Sequence, residues 1–355
     1  MIKIKLLIAF ILIFNSFLLC QESVYYDLQN YFSNTEIMNM ELESDTILWV
    51  SSVNEGLIKY DGHNFTSYRL NYNSSGPLSD YLGKNSQDLF YGMCIKKDKI
   101  CLYSNEFCKR CRTVILEIIK DTIYNYDFDS IAGKPNYLYF QGIQIDNHSN
   151  IWFAMSSAMH QPDRVGYIKN HKVIFYQIPE KFKFSFLLKI FEVNDTKYLL
   201  FQNNGDQGDK IKYGLIIIDS ENNCDEIHLF DSHNPVVFEF YKYQDKCFLL
   251  AENGLFFIIE KNKIKQEKIP IDNLGICFSL GYFDNYVYCT FFKKDLQFVR
   301  FNLTEKKIEE LSAVFPGVLT NMIFYKNLLL GKSWHCYYST FSDGRGWLTP
   351  IKGLF

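Results

Sequence analysis

The sequence predicts an all-β protein: a single seven-bladed β-propeller of four-stranded antiparallel blades, preceded by an N-terminal signal peptide. The first observation is a high aromatic share of 17%, because aromatic and β-branched residues favour strands. The second is a unit of turn and apolar strand that recurs at intervals of 39 to 52 residues, close to the ~40–50 residues of a propeller blade. The third is an apolar leader at the N-terminus.

Composition limits the classes of protein to which the chain can belong. It has 355 residues, 48% of them hydrophobic, which is ample for a large buried core. Repeat folds reach this length as one domain. The formal net charge is −3, and no strongly basic block occurs. Because phosphate binding needs clustered Lys and Arg, we expect no nucleic-acid partner.

The N-terminus has the layout of a secretory signal. Lys3 and Lys5 precede an apolar run at 6–14 that is too short for a comfortable membrane span. We therefore predict a signal peptide at 1–20 and a propeller at 21–355. Cys20 is lost on cleavage, lipidated, or part of an uncleaved anchor, and we favour simple cleavage. The predicted location is exported: periplasmic, outer-membrane-associated or secreted, with no transmembrane span after the signal.

Two sets of tight turns define the predicted repeat. Asp and Asn suit such turns because they tolerate positive φ and bond to nearby backbone. Seven turns that would join the first and second strands are Ser44-Asp45, Lys97-Asp98, Ser149-Asn150, Asn194-Asp195, Gln244-Asp245, Asp284-Asn285 and Lys326-Asn327. Seven turns that would join the third and fourth strands lie at 60–64, 120–122, 169–172, 219–223, 260–263, 302–306 and 342–346.

One stretch carries a resemblance to a known family. Residues 45–68 contain L-W-V-S-S followed by E-G-L-I-K-Y-D-G, and weaker copies occur at 143–178 and 252–258. This motif resembles the repeat of the two-component regulator propellers. The resemblance implies environmental sensing, often of glycans, upstream of a histidine kinase. We expect a stand-alone propeller, because no second span, immunoglobulin-like linker or kinase segment is recognisable in the sequence. Trp49 and Trp152 occupy equivalent positions, so we predict that both pack between blades.

Closure of the ring has two possible solutions. The C-terminal segment 347–351 could supply the last outer strand, or the N-terminal segment 24–28 could supply it instead. Closure matters because an unpaired blade edge promotes aggregation. The sequence leaves both solutions open.

By analogy with other propellers, ligands are expected on the face that carries the loops between second and third strands, together with the links between blades. Long polar loops on a rigid scaffold are where function concentrates, although insertions are also tolerated there. The candidate ligand-binding residues on this face are Glu55, His160, Asp163, Arg164, Asp206, Asp209, Lys210, Glu252, Trp334 and His335.

The cysteines allow disulfides but do not require them. Export would place the ten cysteines in an oxidising compartment. Cys94 and Cys101 would face each other across the Lys97-Asp98 hairpin, with their Cα atoms within disulfide range. Cys108 and Cys111 form a C-x-x-C with no second pair to complete a zinc site. A disulfide in the second blade and free thiols both remain open.

No cofactor or metal is predicted, and calcium is a minor alternative. Asn203, Asp206 and Asp209 are spaced by threes, but the loop lacks the order and the closing Glu of a calcium site. The sequence shows no nucleophile elbow, zinc-protease helix, phosphate loop or dinucleotide fingerprint, so no catalytic residue is predicted.

The predicted function is therefore an exported, non-catalytic propeller that binds a small molecule, a glycan or an envelope protein. It would sense or scaffold in the cell envelope. One alternative is a propeller glycosidase or lyase, in which two carboxylates such as Asp163 and Glu252 meet at the channel mouth. The other is a structural or adhesion module, which would show a flat apolar patch outside and a plugged channel.

Overall fold

The structure is a computed structural model. It describes residues 26–27, 37–44, 46–52, 56–68, 76–77, 92–104, 113–120, 122–128, 138–157, 164–180, 182, 186–204, 210–252, 254–260, 263–270, 276–292, 296–311, 318–325, 328–334, 347–348 and 351–352. The predicted signal peptide at 1–20 lies outside these residues.

The described residues form strands almost throughout. In chain order, β1 to β30 are Tyr26–Asp27, Ile37–Ser44, Ile47–Ser52, Gly56–Tyr60, Phe65–Tyr68, Gly76–Pro77, Gly92–Lys96, Lys99–Ser104, Val114–Ile119, Thr122–Asp127, Leu138–Ile145, Ile151–Ser157, Arg164–Lys169, Lys172–Tyr176, Phe186–Val193, Thr196–Asn203, Ile211–Ile218, Cys224–Ser232, Phe238–Tyr243, Lys246–Ala251, Leu255–Glu260, Lys263–Lys268, Ile276–Phe283, Tyr286–Phe292, Leu296–Asn302, Ile308–Glu310, Val318–Tyr325, Leu328–Trp334, Trp347–Leu348 and Ile351–Lys352.

Six sheets have the form of propeller blades. In each sheet, four consecutive strands pair antiparallel in chain order. Blades 1 to 6 are β2–β5, β7–β10, β11–β14, β15–β18, β19–β22 and β23–β26. Blade 2 carries a fifth strand, because β6 pairs with β10. The all-β propeller of four-stranded antiparallel blades is therefore confirmed.

The predicted number of seven four-stranded blades is wrong for the part of the chain that the structure describes, which holds six. The segment predicted to be the seventh blade contains β27 and β28, which form a three-stranded sheet with β30. Beyond β28, the described strands β29 and β30 are only two residues long. Tight-turn residues occur wherever the chain reverses, whether or not four strands pair in one sheet. The spacing of the turns therefore overestimated the number of four-stranded blades.

The two segments considered for ring closure pair with each other. Strand β1 runs antiparallel to β29, with Tyr26 opposite Leu348 and Asp27 opposite Trp347. Strand β27 packs against both β23 of blade 6 and β2 of blade 1. The two ends of the chain therefore meet at the place where the ring of sheets closes.

The backbone conformation confirms the predicted turns that lie within the described residues, whereas Lys326-Asn327, 342–346 and the centre of the turn at 260–263 lie outside them. Non-glycine residues with positive φ lie at turns of both sets, including Lys97 at 57° and Asn194 at 48°. Two-residue hairpin turns of this kind match the right-handed twist of the flanking strands. In the second set, Asp61 Oδ1 accepts hydrogen bonds from the backbone N–H groups of His63 and Asn64, and these bonds lower the pKa of Asp61.

Blades pack face to face through apolar side chains, as the alternating strand pattern requires. Trp49 of blade 1 lies in a cluster with Met93 and Leu102 of blade 2. Trp152 of blade 3 lies in the corresponding cluster with blade 4. The indole N–H of Trp49 donates to Glu43 at 2.6 Å, and that of Trp152 donates to Asp146 at 3.0 Å. Both tryptophans therefore occupy the equivalent packing positions that were predicted.

The first strands of the sheets surround a central channel. Strands β2, β7, β11 and β15 pack in sequence around the ring, and β19, β23 and β27 continue it back to β2. Strands β15 and β19 are the exception among the described first strands, because they do not pack closely against each other. A cavity lies between them.

Candidate functional site

The cavity between blades 4 and 5 has a volume of about 410 Å³. Small-molecule sites in proteins typically occupy about 300–1,000 Å³. The cavity is lined by Gln141, Leu188, Lys189, Leu200, Val236, Val237, Phe238, Glu239, Phe240 and Leu249. Val236 and Val237 belong to the link between blades 4 and 5. The cavity therefore reaches the end of the channel at which the links between blades emerge.

Seven of the ten residues that line the cavity have apolar side chains. Leu200 and Leu249 are buried core residues of the second strands of blades 4 and 5. Phe240 packs against Phe191 with ring centroids 5.0 Å apart. Val237 is 51% exposed and forms part of the cavity mouth. A ligand that enters the cavity would therefore bring an apolar group out of water.

Lys189 and Glu239 place opposite charges on the two strands that flank the cavity. Burial raises the pKa of Glu239 from 4.5 to about 7, and the nearby charge of Lys189 opposes this shift. Burial lowers the pKa of Lys189, against the attraction of Glu239 and Glu41. Desolvation disfavours the charged form of each group, so their environment in the channel departs strongly from bulk water.

Glu41 is a second carboxylate whose charge acts on Lys189. It lies on β2 of blade 1, opposite Trp49 in the β2–β3 register. Burial raises its pKa to about 7, and the charges of Lys189 and Lys242 oppose the shift. Titratable groups with strongly perturbed pKa values in a cleft are candidates for a functional site.

In the part of the chain that the structure describes, the side chains of Lys189 and Glu239 form no salt bridge and no hydrogen bond. The ammonium of Lys189 lies over the ring of Phe240, 5.5 Å from its centroid. Charges partly withdrawn from water are usually paired, so Lys189 and Glu239, which line the cavity without a salt bridge, indicate a place for a ligand.

Towards the opposite end of the channel, several charges form ion pairs. Lys96 Nζ lies 3.1 Å from Glu192 Oε2 and donates to the carbonyl of Ile145 at 3.3 Å. Glu192 also accepts the backbone N–H of Asn147 at 3.3 Å. Lys197 lies 3.7 Å from both Glu192 and Asp146. This network joins blades 2, 3 and 4.

Hydrogen bonds hold the cavity rim in place. The hydroxyl of Tyr213 accepts the backbone N–H of Val236 at 2.7 Å. The carbonyl of Val237 accepts the backbone N–H of Glu252 at 3.0 Å. Phe238 packs on Tyr213, with centroids 5.4 Å apart. The link between the two blades is therefore fixed by strands on both sides.

The structure brings one of the predicted ligand residues to this site. Glu252 holds the rim through its backbone, and its charge helps to raise the pKa of Tyr213, although burial is the larger cause. Lys210 is exposed just before β17. Arg164 begins β13, and its guanidinium lies over the ring of Phe175 at 5.6 Å. Trp334 is the last residue of β28. The remaining predicted residues, Glu55, His160, Asp163, Asp206, Asp209 and His335, lie outside the described residues.

The sequence analysis missed Lys189, Glu239 and Glu41. All three lie on first strands, within the runs F-L-L-K-I-F, V-F-E-F-Y and M-N-M-E-L. A charged residue that interrupts an apolar first strand was the available signal, because first strands line the channel.

Cys94 and Cys101 lie directly opposite each other, as predicted. Both are buried free thiols in blade 2. Burial raises the pKa of the Cys101 thiol, and a hydrogen bond with Cys94 adds to the shift. Cys108 and Cys111 lie outside the described residues. The predicted pairing geometry is confirmed for the first pair, and a disulfide there remains a prediction.

A second buried polar cluster lies between blades 2 and 3. Glu117 pairs with Lys99 and accepts a hydrogen bond from the hydroxyl of Tyr126. The ring of His171 lies 3.3 Å from Glu117 and stacks on Tyr124 with centroids 4.0 Å apart. Because Glu117 has several partners, this cluster fits a structural role in joining the blades.

Metal sites and membrane spans were examined in the described part of the chain. No group of three or more His, Cys, Asp and Glu side chains there is arranged to hold a metal ion. The core of the proposed calcium loop, 205–209, lies outside the described residues. No helix within the described ranges has the length and hydropathy of a membrane span.

Comparison with known proteins identifies the architecture. No protein-family model matches the chain, and no curated protein matches it in sequence. The resemblance to two-component regulator propellers therefore stays a prediction. Among solved structures, virginiamycin B lyase from Staphylococcus aureus is similar at a TM-score of 0.63 and 15% identity, over 94% of this chain and 100% of that one.

Two further structures share the fold. YCF48 bound to D1 peptide aligns at a TM-score of 0.56 and 10% identity, over 93% of this chain and 94% of that one. BamB from Moraxella catarrhalis aligns at 0.50 and 11% identity, over 87% of this chain and 80% of that one. Identities this low show the fold alone. The chain is thus a β-propeller.

Proposed function

We propose that this chain is an exported, non-catalytic β-propeller that binds a ligand or partner in the cavity between blades 4 and 5. The observation that carries the proposal is the cavity of about 410 Å³ with unpaired Lys189 and Glu239 in its wall. A propeller used only for adhesion would have a plugged channel. Polar groups instead converge here, which favours binding.

Other observations support an envelope role in sensing or scaffolding. The N-terminal leader has the layout of a secretory signal, and the motif at 45–68 resembles that of sensor propellers. YCF48 has the same architecture and is bound to a peptide. BamB also has this architecture. A shared fold is consistent with a binding role and does not by itself assign one.

The test is a thermal-shift screen of the chain without its predicted signal peptide against oligosaccharides, amino acids and short peptides. A true ligand at 100 times its Kd stabilises the folded state by about 2.7 kcal/mol. The Val237→Trp variant should lose this stabilisation, because the indole would fill the mouth. Val237 is 51% exposed, so the larger side chain is tolerated in the fold.

The matched control is Ile174→Trp, which enlarges a 38% exposed side chain on the outer strand of blade 3. It should respond to the ligand as the wild type does. Stabilisation that survives in Val237→Trp would place the binding site elsewhere. A screen without any stabilising compound would contradict the binding proposal in its small-ligand form.

A lyase or hydrolase reaction in the same channel is the second candidate function. The observation that favours it is that the first strands β2 and β19 carry Glu41 and Glu239, both near Lys189, and that burial raises the pKa of each carboxyl to about 7. General acid–base catalysis is most effective when the pKa lies near the operating pH. Virginiamycin B lyase shows that this architecture can carry a lyase. Products formed by the wild type and lost in Glu239→Gln, measured by mass spectrometry, would support catalysis over binding alone.

A further inference from the structure

The charges of Lys189 and Glu239 are spaced apart, which suits a ligand that carries one positive and one negative group. Lys189 lies on β15 and Glu239 on β19, on either side of the gap between blades 4 and 5. Each influences the other electrostatically, yet no salt bridge within 4.0 Å joins them. The cavity therefore presents an ammonium and a carboxylate that do not neutralise each other by direct contact.

The remaining lining side chains offer few hydrogen-bond partners to a polyhydroxylated ligand. Beside the two charges, Gln141 is the other polar side chain among the lining residues. A sugar has many hydroxyl groups, and each would need a hydrogen-bond partner after it leaves water. The apolar lining residues are instead suited to one compact apolar group. They are Leu188, Leu200, Val236, Val237, Phe238, Phe240 and Leu249.

We propose that the cavity binds a small zwitterion with an apolar side chain, namely an α-amino acid of the aliphatic or aromatic type. The ligand carboxylate would meet Lys189, the ligand ammonium would meet Glu239, and the side chain would lie on the apolar wall near Phe238 and Phe240. This inference rests on the proposed function, because it names the ligand class of the same site.

The first experiment uses the wild-type chain and varies the ligand. Isothermal titration calorimetry would compare L-phenylalanine with N-acetyl-L-phenylalanine, which lacks the ammonium, and with phenethylamine, which lacks the carboxylate. Each charged hydrogen bond is expected to change the affinity about tenfold or more. Both analogues should therefore bind at least about tenfold more weakly than L-phenylalanine. L-Leucine should bind as well, and L-serine should not.

The dipeptide Leu-Leu distinguishes a free amino acid from a peptide as the source of the zwitterion. It carries the same two charges at a greater separation. Weaker binding than L-leucine supports the free amino acid, and tighter binding overturns that part of the proposal.

The second experiment varies the protein. Lys189→Met should weaken binding of L-phenylalanine by about tenfold or more, and should leave the affinity for phenethylamine almost unchanged. Glu239→Gln should show the reverse selectivity, with N-acetyl-L-phenylalanine unaffected. The matched controls are Lys246→Met and Glu260→Gln, which remove a surface ion pair of the same blade, and both should bind as the wild type does.

The outcomes separate this inference from the proposed function. Equal affinity for L-phenylalanine and its two analogues overturns the zwitterion, although binding in the cavity would stand. A second outcome is that none of these compounds binds, but another compound does and Val237→Trp abolishes its binding. That result also overturns the zwitterion proposal and supports the cavity as the binding site. Binding of L-phenylalanine that Val237→Trp leaves intact overturns both. The analogue series needs no variant, so a variant that fails to fold does not affect the test.

Discussion

The Glu239→Gln substitution is expected to stabilise the protein in a pH-dependent way. In the folded state burial raises the pKa of Glu239 from 4.5 to about 7. The folded chain therefore holds this proton more tightly than the unfolded chain does. As the pH rises from about 4.5 to about 7, the unfolded state loses its proton first, and the free energy of unfolding falls. A glutamine does not titrate, so the variant escapes this loss.

The magnitude follows from the two pKa values. A carboxyl whose pKa rises from 4.5 to about 7 destabilises the fold by at most about 3 kcal/mol above pH 7. Water in the channel screens the charge, so we expect the variant to gain about 1–3 kcal/mol at pH 8. At pH 4.5 the wild-type carboxyl is protonated in the folded state, and the two proteins should differ by less than about 1 kcal/mol.

Urea denaturation at pH 4.5 and pH 8 would measure both differences. Glu260→Gln is the control, because Glu260 forms a surface ion pair with Lys246 at 3.3 Å. Exposed pairs contribute little, so this control should change stability by less than about 1 kcal/mol at either pH. If Glu239→Gln is destabilised at pH 8, or gains the same amount at both pH values, the reasoning about a desolvated carboxylate in the channel is wrong.

Three further predictions concern the scaffold. Gly166→Ala should destabilise the fold by about 1–3 kcal/mol in urea denaturation, since the added Cβ would lie 2.5 Å from Phe153 Cζ and 2.8 Å from the carbonyl oxygen of Ile174. Glu117→Ala should cost about 3 kcal/mol in the same assay, because it removes a buried carboxylate on which the half-buried ammonium of Lys99 and the hydroxyl of Tyr126 depend. Mild oxidation should join Cys94 and Cys101, which are directly opposed, and peptide mass spectrometry would detect the bridge.

Each of these predictions has its own control. Phe153→Leu should restore part of the stability lost in Gly166→Ala, and no recovery would show that the clash with Phe153 is not the cause. Glu309→Ala removes a surface partner of Arg300 and should cost less than about 1 kcal/mol. Cys247, a buried thiol of blade 5, should remain open to alkylation after denaturation. Cys94 and Cys101 alkylated to the same extent as Cys247 would argue against the disulfide.

The sequence predicted the architecture well because the signals are local. Tight turns such as Lys97-Asp98 and Asn194-Asp195 need particular residues, and the strands between them alternate with period two. The equivalence of Trp49 and Trp152 followed from the same local pattern. The number of four-stranded blades did not follow, because a turn signal shows that the chain reverses and does not show how many strands pair beyond it.

The candidate site could be predicted only in part, because it depends on contacts between distant segments. The cavity opens where the links between blades emerge, as expected for a ligand face, and the backbone of Glu252 bonds to its rim. Lys189 and Glu239 are 50 residues apart in the chain. Their meeting at one cavity depends on the gap between β15 and β19, which the local pattern does not encode. Burial, which shifts the pKa of both groups, is likewise a property of the assembled ring.

Hydrogen exchange with and without a bound ligand is the most direct test of the claim that the cavity is the binding site. The ligand would be the strongest stabilising compound from the screen, at a saturating concentration. We predict that added protection concentrates at 186–190 and 236–240, the two segments that flank the cavity. Protection confined to other parts of the ring, with these two segments unchanged, would contradict the account.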